Sequence, residues 1–249
     1  MNPSPGLPRG PGAPALIVAH RGAWESAPQN SLAAFARAIE LGCDMVELDV
    51  RRTRDGCLVS VHDSRVRGTP IGSLDYAEIR RYLGGGQPPL LEEVLELIAG
   101  RIQADIELKE AGYEEQAMTL IRQRLSPRSY VVTSFLDGVL ESARACSPDV
   151  RRGLLLRAGS VWVRSGGAKG DVLEGRVRRT GAGFLAPHVS LIRAGILTWS
   201  AERELPSFVW TVNDQRRLRS LLADPRVEAV ITDRPATALA IRAGSRSAQ

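Results

Sequence analysis

Four charged residues occur in two pairs, and the members of each pair are two residues apart within an apolar run. Glu47 and Asp49 lie in MVELDV, and Glu107 and Lys109 lie in IQADIELK. Both runs are predicted strands, and side chains two residues apart on a strand point to the same side of it. If both pairs face the interior of one fold, three carboxylates share a cavity, where they repel one another and resist ionisation.

A bound divalent cation would resolve the conflict among Glu47, Asp49 and Glu107. Ligation by oxygen atoms favours a hard cation, so the pattern predicts one Mg²⁺ or Ca²⁺ ion with water completing its coordination. Zinc is the alternative if a histidine joins the ligands. It ranks lower because the site would then lose an acid or a base.

Two histidines follow β-rich runs and suit proton transfer. His20 ends ALIVAH directly before Arg21, and His62 ends CLVSVH. Histidine is the side chain best matched to proton transfer near neutral pH, so a pair can serve as base and acid. Arg21 and Lys109 beside a cation would suit an anionic group such as a phosphate. Together these residue types indicate cleavage of a phosphate ester.

Each of these residues also has an ordinary structural explanation when it is taken alone. A histidine at a strand end is more often a hydrogen-bonded structural residue, and acidic pairs on strands often face solvent. His188 in APHVS is predicted to be structural or to line a pocket, and Trp210 and Asn213 in WTVND fit a core and a turn. The occurrence of the whole set at strand ends of one architecture favours the chemical interpretation.

The elements that must position these residues alternate along the chain. Eight strand-like runs separated by helix-like segments predict a parallel α/β fold, and eight such units match a TIM (β/α)8 barrel. A doubly wound open sheet is the alternative, but no G-x-G-x-x-G follows the first strand to support a dinucleotide site. The strands are predicted at 15–20, 45–50, 102–109, 129–135, 151–157, 183–190, 207–214 and 228–234. Helices are predicted at 31–42, 113–125, 136–147 and 215–225, with a less regular Gly-rich segment at 158–182.

One stretch, RRTRDGCLVSVHD, departs from this alternation. Arg-Asp-Gly is a hairpin-turn signal before a second β-rich run, and the link is too short for a crossover helix. We therefore predict an antiparallel hairpin excursion after the second strand. With its turn near Asp55 and Gly56, it brings His62 back beside Glu47 and Asp49.

Length and composition limit the class of protein. The 249 residues, 43% hydrophobic, suffice for one large core. We predict a Pro/Gly-rich tail at 1–14, one domain at 15–243 with a short cap insertion at about 64–88, and a frayed end at 244–249. The net charge of +5 comes from scattered arginines without a nucleic-acid-binding signature, so no nucleic-acid partner is predicted.

Apolar runs of strand length predict no integral membrane association, and no basic leader precedes the first one. Cys43, Cys57 and Cys146 form no CxxC motif and are predicted to be buried thiols in a reducing compartment. These features favour a cytoplasmic protein.

Short motifs follow one another along the chain. The opening segment reads AHRG, then APQNSLAAFARAIELGCDMVELDV, then TRDGCLVSVHD, and PLLEEVL, IELK, TSF, WTVND and ITDRP follow. In this order the motifs resemble those of the glycerophosphodiester phosphodiesterase family. Each motif is weak alone, but the ordered set is highly specific and covers about residues 16–237.

The resemblance implies a TIM-barrel hydrolase that cuts small-molecule glycerophosphodiesters, such as glycerophosphocholine or glycerophosphoethanolamine, to sn-glycerol 3-phosphate and an alcohol. By motif position, His20 and His62 would be the general acid–base pair. The remaining roles implied are metal ligation by Glu47, Asp49 and Glu107, phosphate binding by Arg21 and Lys109, and pocket lining by Trp210.

Two departures from the family pattern bear on activity. The family's Pro-Glu-Asn-Thr has Gln29 and Ser31 here, which removes one negative charge and suggests modulation of the activity. The segment after His62 is shorter than the usual insertion, so a more open site could admit a lysophospholipid. The alternatives are therefore a lysophospholipase D and a non-catalytic phospholigand-binding protein. Headgroup preference, the identity of the cation and oligomeric state stay open.

Overall fold

The computed structural model describes residues 14–83, 88–157 and 168–246, which form a closed eight-stranded parallel barrel with helices between the strands. Going around the barrel, the strands follow the order β1, β2, β6, β7, β8, β9, β10 and β11, and β11 pairs again with β1. The strands are β1 (Leu16–Ala19), β2 (Met45–Arg52), β3 (Leu58–Ser60), β4 (Arg65–Val66), β5 (Thr69–Pro70), β6 (Gln103–Leu108), β7 (Tyr130–Ser134), β8 (Arg152–Leu156), β9 (Phe184–Pro187), β10 (Ser207–Val209) and β11 (Val227–Thr232). The predicted TIM barrel is confirmed.

The helices cover the outside of the barrel. They are α1 (Leu32–Leu41), α2 (Tyr76–Leu83), α3 (Leu91–Ile98), α4 (Glu114–Arg124), α5 (Asp137–Cys146), α6 (Ala168–Thr180), α7 (Ile196–Ala201), α8 (Gln215–Leu222) and α9 (Pro235–Arg246). Sequence signals set the ends of α1. Ser31 Oγ accepts a hydrogen bond from the Ala34 amide, and Gly42 ends the helix at φ 76°.

The barrel interior holds its own apolar layer. Its fully buried members include Val18, Met45, Phe184 and Phe208, and the rings of Phe184 and Phe208 lie 4.2 Å apart. Two larger apolar clusters fill the space between the strands and the helices. The interior is therefore packed, as in other TIM barrels, and chemistry is left to the strand ends.

The excursion after β2 is the predicted hairpin. Strand β3 runs antiparallel to β2 with Val50 opposite Ser60, and the Val61 amide donates to the Asp49 carbonyl at 2.9 Å. The following cap contains the two-stranded β4–β5 sheet and α2. It has a small core of Val59, Val66, Ile71, Leu74 and Ile79.

Several sequence boundaries shift in the structure. Helices α2, α3, α7 and α9 were not among the predicted ones, and the strand predicted at 207–214 ends at Val209. The last helix continues to Arg246, into the segment predicted to fray. Residues 1–13, 84–87, 158–167 and 247–249 lie outside the described residues, and with them parts of the predicted tails, cap and Gly-rich segment.

Cys43 is buried, whereas Cys57 and Cys146 are half-buried, and all three are free thiols. Across the described ranges, we find no helix with the length and apolar character that crossing a membrane requires.

Candidate active site

The predicted site residues meet at the carboxyl ends of the barrel strands, around a cavity of about 350 Å³. The predicted residues that line it are His20, Arg21, Glu47, His62, Glu107, Lys109 and Trp210. Asp49 is fully buried directly behind them. A larger depression of about 850 Å³ lies elsewhere, along α4, and holds none of these residues.

The three predicted metal ligands form one buried cluster. Glu47, Asp49 and Glu107 each offer a carboxylate oxygen, and these oxygens all lie within 4.8 Å of one another. Register explains the convergence, because β2 and β6 are parallel neighbours with Asp49 directly opposite Glu107. The alternating strand pattern then turns all three side chains to the interior.

Crowding and burial perturb the acidities of these carboxyls. Burial, with the charges of Asp49 and Glu107 close by, raises the pKa of Glu47 well above its usual range. Burial also raises the pKa of Glu107, to about 7, although Lys109 opposes the shift. Burial alone would raise the pKa of Asp49 too, but Lys109 and Arg21 lower it to about 2. Without a cation the cluster therefore resists full ionisation.

Lys109 bridges two members of the cluster. Its Nζ lies 2.7 Å from Glu107 Oε1 and 3.0 Å from Asp49 Oδ1, although the contact with Asp49 lacks hydrogen-bond geometry. Burial disfavours the ammonium, but Glu107 and Asp49 outweigh it and raise the pKa of Lys109. The residue thus carries a fixed positive charge at the edge of the cavity.

The turn after β1 places Arg21 against the same carboxylates. Arg21 has φ 57°, its amide donates to Glu47 Oε2 at 2.9 Å, and its Nε lies 3.2 Å from Asp49 Oδ2. Gln29 Oε1 accepts from Arg21 Nη1 at 2.8 Å. Gln29 therefore touches the cluster through Arg21.

Asn30 holds Asp49 in place, a role that the sequence analysis missed. Its Nδ2 donates to Asp49 Oδ2 at 2.8 Å, and its Oδ1 accepts from the Asp49 amide at 3.2 Å. The pairing joins residues 19 apart across the barrel end, so no local pattern could reveal it.

His20 is oriented by a carboxylate that directly follows the last strand. Its Nδ1 lies 2.6 Å from Asp233 Oδ1, while its Nε2 lies 4.0 Å from Glu47 Oε2. Asp233 also accepts from Asn213 Nδ2 at 2.6 Å. Burial raises the pKa of Asp233, but hydrogen bonds from His20 and Asn213 bring it below its usual range. Asp233 lies in the ITDRP motif, yet no role was predicted for it.

His62 approaches the cavity from the hairpin side. Its Nδ1 lies 2.9 Å from Asp63 Oδ1, and its backbone carbonyl accepts two hydrogen bonds from Arg51, at 3.0 and 2.9 Å. Burial lowers the pKa of His62 despite the hydrogen bond to Asp63. The hairpin was predicted to bring His62 beside Glu47 and Asp49, and His62 lines the same cavity as Glu47.

Other lining residues were not predicted. Asp105 lies two residues before Glu107 on β6, so strand alternation could have found it. Thr133 Oγ1 donates to Asp105 Oδ1 at 2.7 Å, and burial raises the pKa of Asp105 to about 7. Arg51 continues the alternation of Glu47 and Asp49 on β2, so it too could have been found. Phe135 and Arg157 also line the cavity, and nothing in their local sequence indicated it.

The aromatic wall is formed around Trp210. Its Nε1 donates to the Ala186 carbonyl at 2.6 Å, and its ring packs edge-on against Phe135 and His188. His188 Nδ1 lies 2.7 Å from Ser190 Oγ and behaves as a structural residue, one of the two predicted outcomes. Trp210 is a lining residue, as the resemblance implied.

The donor set fits a hard divalent cation. Three carboxylates lie on rigid neighbouring strands with oxygens within 4.8 Å of one another, and oxygen ligands are those that Mg²⁺ and Ca²⁺ take. Burial and neighbouring carboxylates raise the pKa values of Glu47 and Glu107, and a cation bound among these carboxylates would offset their repulsion. No histidine belongs to this three-carboxylate group within the described residues.

Comparison with known proteins decides the family. Residues 20–237 match the sequence model of the Glycerophosphoryl diester phosphodiesterase family. The chain belongs to this family. It is 30% identical over 244 residues to a glycerophosphodiester phosphodiesterase of Caldanaerobacter subterraneus subsp. tengcongensis, an alignment covering 89% of this chain and 95% of that protein. Membership makes the chain a phosphodiesterase, and the resemblance stated from the motifs is confirmed.

Solved structures of this family share the fold. A glycerophosphodiester phosphodiesterase from Agrobacterium tumefaciens superposes with a TM-score of 0.73 at 26% identity, covering 91% of this chain and 99% of that one. An Oleispira antarctica phosphodiesterase, solved with the product sn-glycerol-3-phosphate, superposes with a TM-score of 0.72 at 23% identity, covering 92% of this chain and 96% of that one.

Proposed function

We propose that this enzyme hydrolyses glycerophosphodiesters to sn-glycerol 3-phosphate and an alcohol, with one divalent cation and with His20 and His62 as the acid–base pair. The single observation that carries the proposal is one cavity shared by both histidines and the buried cluster of Glu47, Asp49 and Glu107. The product bound to the Oleispira antarctica protein supports the substrate class.

The charged residues explain how a phosphodiester would be held. When bound, the cation, Mg²⁺ or Ca²⁺, would polarise the phosphoryl oxygens and offset the charge that develops in the transition state. Arg21 and Lys109 lie beside its ligands and supply donors to the same anion. Trp210 and Phe135 then shield one side of the bound group from water.

The histidines explain the proton transfers. Nδ1 of His20 faces Asp233 and Nδ1 of His62 faces Asp63, so in both rings a proton on Nδ1 leaves Nε2 to exchange protons with the substrate. One neutral ring takes the proton of the attacking hydroxyl, and the other, protonated, gives a proton to the alcohol oxygen as its bond to phosphorus breaks. The attacking hydroxyl belongs to water, which gives glycerol 3-phosphate directly, or to the glycerol 2-position, which gives a cyclic phosphodiester that water must then open. Either histidine can take either role.

The three free cysteines support placing this activity in a reducing compartment, and we propose the cytoplasm.

The test is metal-dependent turnover. Purified protein is stripped with EDTA and then given Mg²⁺, Ca²⁺, Mn²⁺ or Zn²⁺ in turn, with glycerophosphocholine, glycerophosphoethanolamine or glycerophosphoglycerol as substrate. We expect Mg²⁺ or Ca²⁺ to restore release of glycerol 3-phosphate, and His20→Ala or His62→Ala to lower the rate by about 10²- to 10⁴-fold.

Three other results would contradict parts of the proposal. Turnover of lysophosphatidylcholine alone would indicate a lysophospholipase D. Metal binding without turnover of any substrate would indicate a phospholigand-binding protein. Near-full activity of both histidine variants would remove the proposed acid–base pair.

A further inference from the structure

One side of the cavity wall carries an arginine that the proposed chemistry does not use. Arg157 directly follows β8, lines the cavity and is exposed to solvent. Its guanidinium lies over the ring of Phe135, with Cζ 5.5 Å from the ring centroid. Phe135 in turn packs edge-on against Trp210 at 5.6 Å. The wall is therefore a layered arrangement of one cation and two aromatic rings.

Arg157 differs from the other cations of this cavity in its pairing. Arg21 pairs with Asp49, Arg51 with Glu110, and Lys109 with both Asp49 and Glu107. Arg157 lies within 4.0 Å of no carboxylate of the described residues; the ring of Phe135 is the partner that the structure gives it. Its charge is available to a ligand.

The other charges around the metal site have partners of their own. The three ligand carboxylates are offset by Arg21, Lys109 and a divalent cation, with one charge to spare for the scissile phosphate, and Asp105 accepts a hydrogen bond from Thr133. The negative charge of Glu110 offsets the positive charge of Arg51. Arg157 then adds a positive charge to a wall that faces the rest of the substrate. Because the glycerol half is neutral in every glycerophosphodiester, only the leaving alcohol can respond to that charge.

The Phe135 ring beneath Arg157 also bears on the charge of the leaving alcohol. An open phenyl face would attract a quaternary ammonium such as choline through cation–π interaction. Here the guanidinium of Arg157 covers the Phe135 ring and repels a second cation. The wall thus disfavours a cationic leaving group and favours an anionic one.

We propose that Arg157 is a specificity-determining residue that selects glycerophosphodiesters whose leaving alcohol is negatively charged. The proposal rests on the proposed function and refines its substrate class. The expected order of kcat/KM is anionic, then neutral, then cationic leaving group.

The experiment compares three substrates that share the glycerophosphate half. Glycerophosphoglycerophosphoglycerol releases an anionic alcohol, glycerophosphoglycerol a neutral one, and glycerophosphocholine a cationic one. Initial rates give kcat/KM for the wild type, for Arg157→Gln and for Arg157→Glu. Arg128→Gln is the matched control, because Arg128 is exposed in the loop before β7, at the opposite end of the barrel.

The ratio of anionic to neutral kcat/KM is the readout. An exposed ion pair contributes little, so we expect Arg157→Gln to lower this ratio about 3- to 10-fold and Arg157→Glu to lower it further and raise the relative rate with choline. Arg128→Gln should keep all three ratios. Raising NaCl from about 0.05 M to about 0.5 M should shrink the wild-type preference and leave that of Arg157→Gln nearly unchanged.

The outcomes separate this inference from the proposed function. If all three substrates are turned over and neither Arg157→Gln nor Arg157→Glu changes the kcat/KM ratios, the role of Arg157 is overturned and the proposed function stands. An equal loss of kcat/KM on every substrate would place Arg157 at the scissile phosphate. That result would also overturn its role in selecting the leaving alcohol. Absence of wild-type turnover on all three with every metal overturns the proposed function and this inference with it.

Discussion

His20 and His62 have carboxylate partners that differ in their surroundings. Asp233 is 23% exposed and is itself held by Asn213, whereas the Asp63 side chain is 73% exposed. A carboxylate that is fixed by a second hydrogen bond orients an imidazole better than one that moves freely in water. Asp233 is therefore a positioning residue for His20, and Asp63 contributes less to the orientation of His62.

We expect Asp233→Asn to lower kcat by about 10- to 100-fold with little change in KM. The matched variant Asp63→Asn should lower kcat by less than about 5-fold, since its contact is solvated. Steady-state kinetics at saturating cation would measure both. A loss in Asp63→Asn that equals or exceeds the loss in Asp233→Asn would contradict this ranking.

Among the elements, the turn from β1 into α1 does the most to build the site. Gly22 follows Arg21 at φ 83°, and a Cβ there would lie 2.7 Å from the Ala34 carbonyl carbon. Only glycine allows this close approach, which sets where His20 and Arg21 leave the strand. Gly42 ends the same helix at φ 76° with nothing within 4 Å of its Cβ position.

Gly22→Ala should reduce the free energy of unfolding by about 2 to 4 kcal/mol, since it adds a steric clash to backbone strain. Gly42→Ala carries the strain without the clash and should cost about 1 kcal/mol. Urea unfolding of the two variants measures the difference. Equal losses would show that the contact with Ala34 is unimportant.

A second element, the start of α5, is tied to α6 by ion pairs. Asp137 lies 2.6 Å from Arg176 Nη2 and 2.7 Å from Arg179 Nη2. Burial would raise the pKa of Asp137, but these arginines hold it below its usual range. Because the pKa is lower in the folded state, the stabilisation is fully present above the unfolded pKa of about 3.9 and is lost as pH falls through the folded value.

The stability difference between wild type and Asp137→Asn should therefore be constant from about pH 7 to pH 5 and shrink below about pH 4. Urea unfolding of both proteins at several pH values tests the prediction. A difference that stays the same down to about pH 3 would indicate that Asp137 acts through packing, independently of its charge.

Across the molecule as a whole, an ion pair at the amino-terminal end of the barrel faces away from the active site. Arg151, just before β8, makes two hydrogen bonds to Glu228 on β11, at 2.5 and 2.6 Å, and both residues are buried. The guanidinium also lies 4.8 Å from the Phe184 ring centroid. The pair joins strands that are separated by β9 and β10, so it links opposite parts of the barrel.

Removing either partner leaves a buried charge, so Arg151→Met and Glu228→Gln should each cost about 3 to 5 kcal/mol of stability. The double variant should cost clearly less than the two together. Chemical denaturation of all four proteins completes the cycle, and kcat of the folded variants should match the wild type. Additive losses would argue against direct coupling of the two residues.

Sequence reasoning succeeded where the signal was local. Strand alternation placed Glu47, Asp49, Glu107 and Lys109 on one face, and the turn residues Asp55 and Gly56 predicted the hairpin that carries His62. It failed where contacts join distant segments. Asn30 bound to Asp49, and Asp233 bound to His20 across 213 residues, depend on barrel closure. Helices α2 and α7 span only eight and six residues, and helices this short rely on tertiary packing, which the sequence analysis could not see.

Sequence alone predicts the alternation of strands and helices, the charged pairs that share one face of a strand, and the ordered motifs that mark the family. These follow from a two-residue strand period, a 3.6-residue helix period and turn chemistry, all of which act over a few residues. The tertiary structure adds two facts. Arg157 lies on an aromatic wall with no partner among the described carboxylates, and Asp233 contacts His20. Closing the barrel brings the ends of β1, β8 and β11 to one rim, and that proximity depends on how the strands pack together, which no stretch of a few residues encodes.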